Sequence, residues 1–466
     1  MTVTAGTTGR NGAGGHRGAE QIGHTETGPR PLPPLGAQRT VPDLDLADRT
    51  LPNGLRVIAV ARRTVPTVEL RLRIPFAGAE PTHPARAEMV ASALLTGTAG
   101  RSRVEIDDEL ANIGGELAAG VDPERLLVSG SALAGGLPAL LDVLADLLVA
   151  PAYPDGDFDR ERERLVERIA VARSQPRTVA REALQRRRYG DHPASREMPL
   201  AEDVAAVAST DARELHRAAV LPAGSTLVLV GDVEPERAIA TVADKLAAWA
   251  PSGTAAELPP LPTLTGRDLL LVDRPGSVQS QLRLSAAAVP RTDPSYPAVQ
   301  LANLVLGGYF SSRLVENIRE DKGYTYSASS YLEFTPSGAT LLVETDVATD
   351  VTAAALLETR YELARLSAVP PTDAEVESAR RYAIGSLLIS LDSQPGLAAT
   401  LAALAGVGLD AQWLRAHPAR LEAVTPEQVA RAAAEFFTPT AFTGVVVGDA
   451  SAVGSGLRAL GGVELP

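Results

Sequence analysis

The chain has 466 residues, 45% of them hydrophobic and 22% charged, with a net charge of −13 and a mean hydropathy of +0.02. That acidity argues against binding to nucleic acid or to an anionic membrane, either of which needs a basic footprint. The absence of cysteine excludes disulfides and thiol chemistry, and the length suits roughly two to four soluble domains.

Residues 1–45 are rich in Gly, Thr and Pro and lack periodic apolar positions, which predicts a disordered leader. They contain no charged region followed by an apolar core, so no secretory signal is expected. Glu20 and Glu26, with no apolar face, argue against a mitochondrial transit peptide. Order is expected close to Asp48. There Asn53-Gly54 is a hairpin signal between two β-prone runs. The run Thr67 to Pro75 alternates, with Val68, Leu70, Leu72 and Ile74 on one face, as a half-buried strand requires. Helices are predicted over 84–96 and 104–113, strands over 115–121 and 125–132, and a helix over 136–150. The charged run 155–174 carries Phe158, Leu165 and Ile169 on one face, an amphipathic helix with a solvated outer side. A strand, Thr226 to Asp232, and a helix over 234–249 close the first half. The longest apolar stretch, 126–150, is interrupted by Gly135-Gly136-Leu137-Pro138, Asp142 and Asp146, so no membrane span and a cytoplasmic location are expected.

Prolines at 251, 259, 260 and 262, with Gly253 and Gly266, prevent any regular element over 251–266 and mark a linker between domains 46–250 and 267–466. The second half repeats the first in order. Val68 to Leu72 is echoed by Ser280 to Leu284, and Thr226 to Asp232 by Thr443 to Asp449, each offset by a little over 210 residues. A capped helix precedes each closing strand, starting at Ser209-Thr210-Asp211 in one half and at Thr425-Pro426 in the other, where Thr425 and Gln428 form a capping box. Several echoes in one order point to duplication.

The most informative segment lies in this second copy. The apolar run Leu301 to Leu306 breaks at Gly307-Gly308. A short charged helix follows through Asn317-Ile318-Arg319-Glu320-Asp321-Lys322, then a Gly323 turn leads into the aromatic strand Tyr324 to Tyr331. Read from the residues alone, this is equally an exposed helix end whose arginine caps carbonyls and whose tyrosine packs on a sheet. The segment resembles, however, the Arg/Tyr segment of pitrilysin/insulinase-type zinc peptidases, in the mitochondrial-processing-peptidase-like branch. Leu51-Pro52-Asn53-Gly54-Leu55 and Gly97-Thr98 match that family's pattern as well. The resemblance covers nearly everything from residue 46 onward. It implies an α+β fold of two homologous halves, each a mixed, mostly antiparallel sheet with helices on one face, arranged as a clam shell. It also implies that Arg319 and Tyr326, seven positions apart, contact a substrate carbonyl opposite a metal.

The family's metal site is expected to be degenerate here. Members carry His-x-x-Glu-His on a helix of the first half, where two histidines bind zinc and the glutamate activates water. With Gly97-Thr98 setting the register, the first ligand position is Glu88, the base position Ala91 and the second ligand position Ser92. The third ligand position, 76 residues after Ser92, is Arg168. Serine is a poor zinc ligand, alanine accepts no proton, and arginine places a permanent cation where a dication would sit. The six histidines, His16, His24, His83, His192, His216 and His417, include no pair with metal-ligand spacing on a helix.

Two functional readings follow. In the first, the chain is the non-zinc-binding subunit of a bacterial heterodimeric metallopeptidase. It binds no cofactor itself, its homologous partner carries His-x-x-Glu-His and zinc, and Arg319 and Tyr326 act on a peptide across the interface. In the second it is a purely structural or peptide-binding pseudo-peptidase subunit, which gives no reason to keep the Arg/Tyr pair. A self-sufficient peptidase with an unfamiliar metal site is disfavoured by the missing histidines.

Overall fold

The computed structural model describes residues 40, 41, 43–250 and 253–466, together with the backbone of a short ladder in which His24–Thr25 pairs with Gly28–Pro29. Most of the expected leader lies outside the described residues. Val41, near its end, is buried against the core.

Each half builds one six-stranded sheet. In the first, β1 (Leu46–Thr50) and β2 (Arg56–Ala61) flank the Asn53-Gly54 turn and pair antiparallel. β3 (Thr67–Pro75) alternates buried and half-buried residues along its whole length, as its pattern requires. Helices α1 (His83–Ala93) and α2 (Arg103–Asn112) lead to the hairpin of β4 (Glu116–Asp122) and β5 (Arg125–Leu133). Then follow α3 (Leu137–Val149), α4 (Asp155–Ser174), α5 (Pro176–Tyr189), α6 (Ala201–Ala205), α7 (Ser209–Ala219), β6 (Thr226–Gly231) and α8 (Pro235–Lys245). The apolar face read from the sequence of α4 is the one it buries: Phe158, Leu165 and Ile169. The start of α7 differs from expectation. Ala208 occupies the N-cap position, with its N–H donating to the Asp211 carboxylate at 2.8 Å, while the Ser209 hydroxyl turns away to Asp155 at 2.6 Å.

The second half contains β7 (Leu269–Asp273), β8 (Gln279–Ala287), α9 (Tyr296–Asn303), β9 (Thr325–Thr335), β10 (Gly338–Ala348), α10 (Thr352–Ala368), α11 (Asp373–Asp392), α12 (Gln394–Ala405), α13 (Ala411–Glu422), α14 (Pro426–Phe436), β11 (Thr443–Gly448), α15 (Ala450–Leu460) and β12 (Val463–Glu464). Thr425 and Gln428 form the capping box of α14.

The sheet orders are β1-β2-β6-β3-β5-β4 and β12-β7-β11-β8-β10-β9. From the second strand of each list onward they agree position by position, including the one parallel pair, β2 with β6 and β7 with β11. The echoed residues occupy equivalent rungs: Leu70 faces Leu229, and Leu282 faces Val446. Duplication is therefore visible in topology and in register. The sixth strand is the exception. β1 runs antiparallel at the edge of one sheet, whereas β12 runs parallel at the edge of the other.

Each sheet buries one face under helices of its own half. The opposite face is covered by a helix from the other half. On the first sheet, Ile58, Val60, Val228 and Val230 pack against Leu397 and Leu401 of α12. On the second, Leu342, Val445 and Val447 pack against Ala180 and Leu184 of α5. This explains why β6 and β11 are buried at every position. Polar contacts fix the exchange: Gln394 donates to the Arg62 carbonyl at 2.6 Å, and Arg188 reaches Glu333 and Thr340, both at 2.8 Å. No single described helix is long and apolar enough to cross a membrane.

Candidate functional site

The degenerate metal positions come together in space. α1 packs against α4, and the Arg168 guanidinium of α4 donates to the Ser92 hydroxyl of α1 at 3.3 Å. The contact joins the two residues that the sequence register assigns to the second and third ligand positions. Glu88, one turn before Ser92, lies within electrostatic reach of Arg168. Burial pushes its carboxyl above the usual carboxylate range, and the nearby guanidinium offsets part of that rise. Ala91 is buried in the core and offers no polar atom.

This set does not fit zinc. It supplies one desolvated carboxylate, one hydroxyl that already accepts a hydrogen bond, and a fixed cation. Among the described residues no three His, Cys, Asp or Glu side chains cluster in a way that could hold a metal. The four histidines with described side chains have other work, while His16 and the side chain of His24 lie outside the described residues. His83 bonds the Phe76 carbonyl at 2.8 Å, His192 the Pro259 carbonyl at 3.0 Å, and His417 the Gln300 side chain at 2.8 Å. His216 sits between the Tyr153 hydroxyl and the Leu148 carbonyl, at 2.9 and 3.0 Å, and burial pulls its pKa down to about 4.

The second group is built on irregular helix. α9 continues as a π-helix over Leu304–Gly308, and a second π-helix spans Val315–Asp321. The sequence predicted an ordinary short helix there. π-turns cluster at functional positions because the wider coil redirects side chains. Gly307 is required by packing, since a Cβ would come within 2.8 Å of the Ser330 backbone nitrogen on β9. Asn317 ties the second π-helix to α10, donating to Glu358 at 3.0 Å and Glu362 at 2.8 Å, and Ile318 is buried beneath it. Gly323, at φ +65, then turns the chain into β9.

Arg319 and Tyr326 meet. The Arg319 guanidinium carbon lies 5.1 Å from the Tyr326 ring centre and 4.9 Å from that of Phe310, and its Nε is 3.3 Å from Glu320. The cation therefore contacts two aromatic rings, which restricts its orientation at little cost in donors. Tyr326 owes its position to a bulge. β9 advances three residues, Thr325 to Ala328, while β10 advances two, Val347 to Thr345. The Thr325 hydroxyl closes the bulge, donating to the Asp346 carbonyl at 2.7 Å and accepting from the Ser327 N–H at 3.0 Å. The extra residue stands outward: Tyr326 is 87% exposed and its hydroxyl bonds no described residue, while Tyr324 packs against the core. The capping role for Arg319 and the sheet-packed role for Tyr326 are thus not what the geometry displays. Phe310, 62% exposed, completes the cluster and was given no role from sequence, although its place after Gly307-Gly308 marks it as an apolar residue in a turn. No hydrogen bond, ion pair or ring contact joins this group to Ser92 and Arg168 among the described residues.

Residues 206–382 match the peptidase M16 inactive domain, and residues 81–200 match the insulinase (peptidase family M16) domain. Relatives include an uncharacterized zinc protease of Streptomyces coelicolor, 26% identical over 60% of this chain and 63% of its own length. Another is the probable mitochondrial-processing peptidase subunit beta of Arabidopsis thaliana, 22% identical over 75% of this chain and 68% of the relative. The match to the Streptomyces protein therefore spans under two thirds of that relative. Among solved structures, a peptidase M16 inactive domain from Pseudomonas fluorescens superposes with a TM-score of 0.78 at 23% identity, covering 87% of this chain and 98% of that one. A protease from Helicobacter pylori superposes with a TM-score of 0.79 at 18% identity, covering 86% and 99%. At these identities the superpositions speak to the fold.

Proposed function

The chain belongs to the insulinase-type M16 peptidase family as a pseudo-peptidase, and from that premise we propose that it is the non-zinc-binding subunit of a heterodimeric metallopeptidase. In this reading a homologous His-x-x-Glu-His subunit brings zinc and its activated water. Arg319 and Tyr326 of this chain hold the substrate carbonyl opposite the metal. The observation that carries the reading is the Arg319–Tyr326–Phe310 cluster: an oriented guanidinium beside an exposed phenol whose hydroxyl has no partner among the described residues. A structural tyrosine buries its ring or pairs its hydroxyl, and Tyr326 does neither.

Chemically, the pair suits a developing oxyanion. The guanidinium supplies a planar, permanently charged fork and the phenol a neutral O–H donor. Neither needs to touch the metal. The opposite asymmetry at Glu88, Ala91, Ser92 and Arg168 supports the same division of labour, because the base position is an alanine and the set does not fit the zinc that would hold a water.

The test is reconstitution. The chain should purify with a zinc-bearing homologue as a stable pair, with zinc on the partner and cleavage of unstructured peptides only by the pair. Cleavage by the isolated chain would refute the assignment. Full activity of the partner without this chain would leave it a structural or peptide-binding subunit.

A further inference from the structure

We propose that the cavity between the two halves around Arg73 is a binding site for a carboxylate borne on an apolar body, such as the C-terminus of a short peptide. The proposal is independent of whether Arg319 and Tyr326 serve a partner's metal.

Arg73 lies two residues before the end of β3 and lines a cavity of about 360 Å³ that also receives Glu124, Arg125, Leu258 of the linker, Ser337 and Gly406. Arg73 makes no hydrogen bond or ion pair with any described residue. Its charged neighbours are mostly alike. Arg125 stands beside it, and Arg291 acts from an adjoining cavity of about 630 Å³ that shares Pro336, Ser337 and Gly406. Burial first, then these two cations, pull the Arg73 guanidinium down to about 10, with Asp122 the one anion opposing them. Asp122 is already bound by Arg125 at 2.7 Å. Glu124 accepts the Ser337 hydroxyl at 2.7 Å, and Glu257 lies exposed on the linker wall. The centre of the cavity therefore holds one unmatched, half-buried cation, in a chain whose overall charge is −13.

Backbone geometry makes the room. A Cβ on Gly406 would lie 2.7 Å from Arg73 Nη1 and 3.4 Å from Arg125 Nη1, so both guanidinia converge on the place where any other residue would project a side chain. Gly406 caps the C-terminus of α12, whose carbonyl end carries a partial negative charge. That charge eases the clustering without supplying a hydrogen-bonded partner. A desolvated cation without a partner is unfavourable, and an arginine fork matches a carboxylate in shape. One unmatched positive charge suits a monoanion better than a phosphate dianion. Ile74, Pro75 and Leu258 add apolar wall for the body of the ligand.

Calorimetry on the full chain alone tests the site with three probes: N-acetyl-Ala-Leu-Leu with a free carboxylate, its C-terminal amide, and inorganic phosphate. The acid should bind, the amide should bind at least about tenfold more weakly, and Arg73→Gln should weaken the acid by a similar factor, the scale of one charge-assisted hydrogen bond. Without ligand, Arg73→Leu should leave Tm unchanged or raise it, because a desolvated unpaired charge is removed. Equal binding of acid and amide, phosphate binding as tightly as the acid, or full acid binding by Arg73→Gln would each overturn the proposal. So would a Tm drop in Arg73→Leu, which would make the guanidinium a mere cap of α12.

Discussion

Replacing Tyr326 by phenylalanine removes one oxygen and nothing else, so it isolates the proposed role of the phenol. The folded chain has little to lose. The side chain is 87% exposed, its hydroxyl bonds no described residue, and the ring that Arg319 leans on is retained. Stability should therefore change by no more than about 0.5 kcal/mol, the range for surface substitutions away from special features. Turnover should behave differently. Loss of one oxyanion donor slows the step by roughly 10- to 1000-fold. Arg319→Ala should lower the rate as well, and also costs two cation–π contacts of about 0.5–1 kcal/mol each at an exposed site. The assay is steady-state cleavage of a fluorogenic peptide by the reconstituted pair, with thermal unfolding of each variant alongside. Tyr324→Phe is the control, since Tyr324 packs on the core and has no place in the cluster. Wild-type turnover in both Tyr326→Phe and Arg319→Ala, with zinc still on the partner, would refute the reasoning.

The isolated chain should hold well under one zinc per molecule by elemental analysis, and about one tightly bound zinc lost on Glu88→Ala would contradict the degenerate reading of Ser92 and Arg168. Glu88 gives a pH signature: its folded pKa is raised by burial, so the folded state binds more protons and stability falls as pH climbs from the ordinary carboxylate value through the raised one. Glu88→Gln should therefore raise Tm at neutral pH, with the gain shrinking below the ordinary carboxylate range; a gain that persists in acid would point to another cause. Leu401→Ala in α12 should destabilise by about 2–5 kcal/mol, as for other buried leucines, with both halves unfolding in one transition; two separated calorimetric peaks would show that the exchanged helix does not couple them.

Local signals carried much of the fold. Alternation gave β3, periodicity gave the buried face of α4, and Asn53-Gly54 gave the first hairpin, because each is a property of neighbouring residues. The internal echoes found equivalent rungs in the two sheets for the same reason. The helix exchange was not legible. Leu397 and Leu401 form an apolar face on α12, yet a pattern names a face and not the sheet it will cover. At the candidate site the resemblance named Arg319 and Tyr326, and its register named Ser92 and Arg168, which the fold brings into contact. It could not reveal that the carrier is a π-helix, that a bulge lifts Tyr326 outward, or that Phe310 joins them, since these depend on how β9 registers against β10. The cap at Ala208 rather than Ser209 was missed because Asp155, distant in sequence, competes for the serine hydroxyl.

The reciprocal loan of α5 and α12 changes what the linker is for. Two domains joined only by a tether part company when the tether is cut. Here each half keeps a helix of the other pressed on its sheet, so a protease that nicks the exposed stretch around residues 253–257 should leave a single particle, separable only in denaturant. By the same token neither half can be expressed alone without laying bare an entire apolar sheet face, an invitation to aggregate. Hinge motion between the halves would uncover the same surfaces. Any hinge opening wide enough to enclose a substrate chain should therefore fall at the seam with a second molecule, whereas the cavity at Arg73 stands open without such motion.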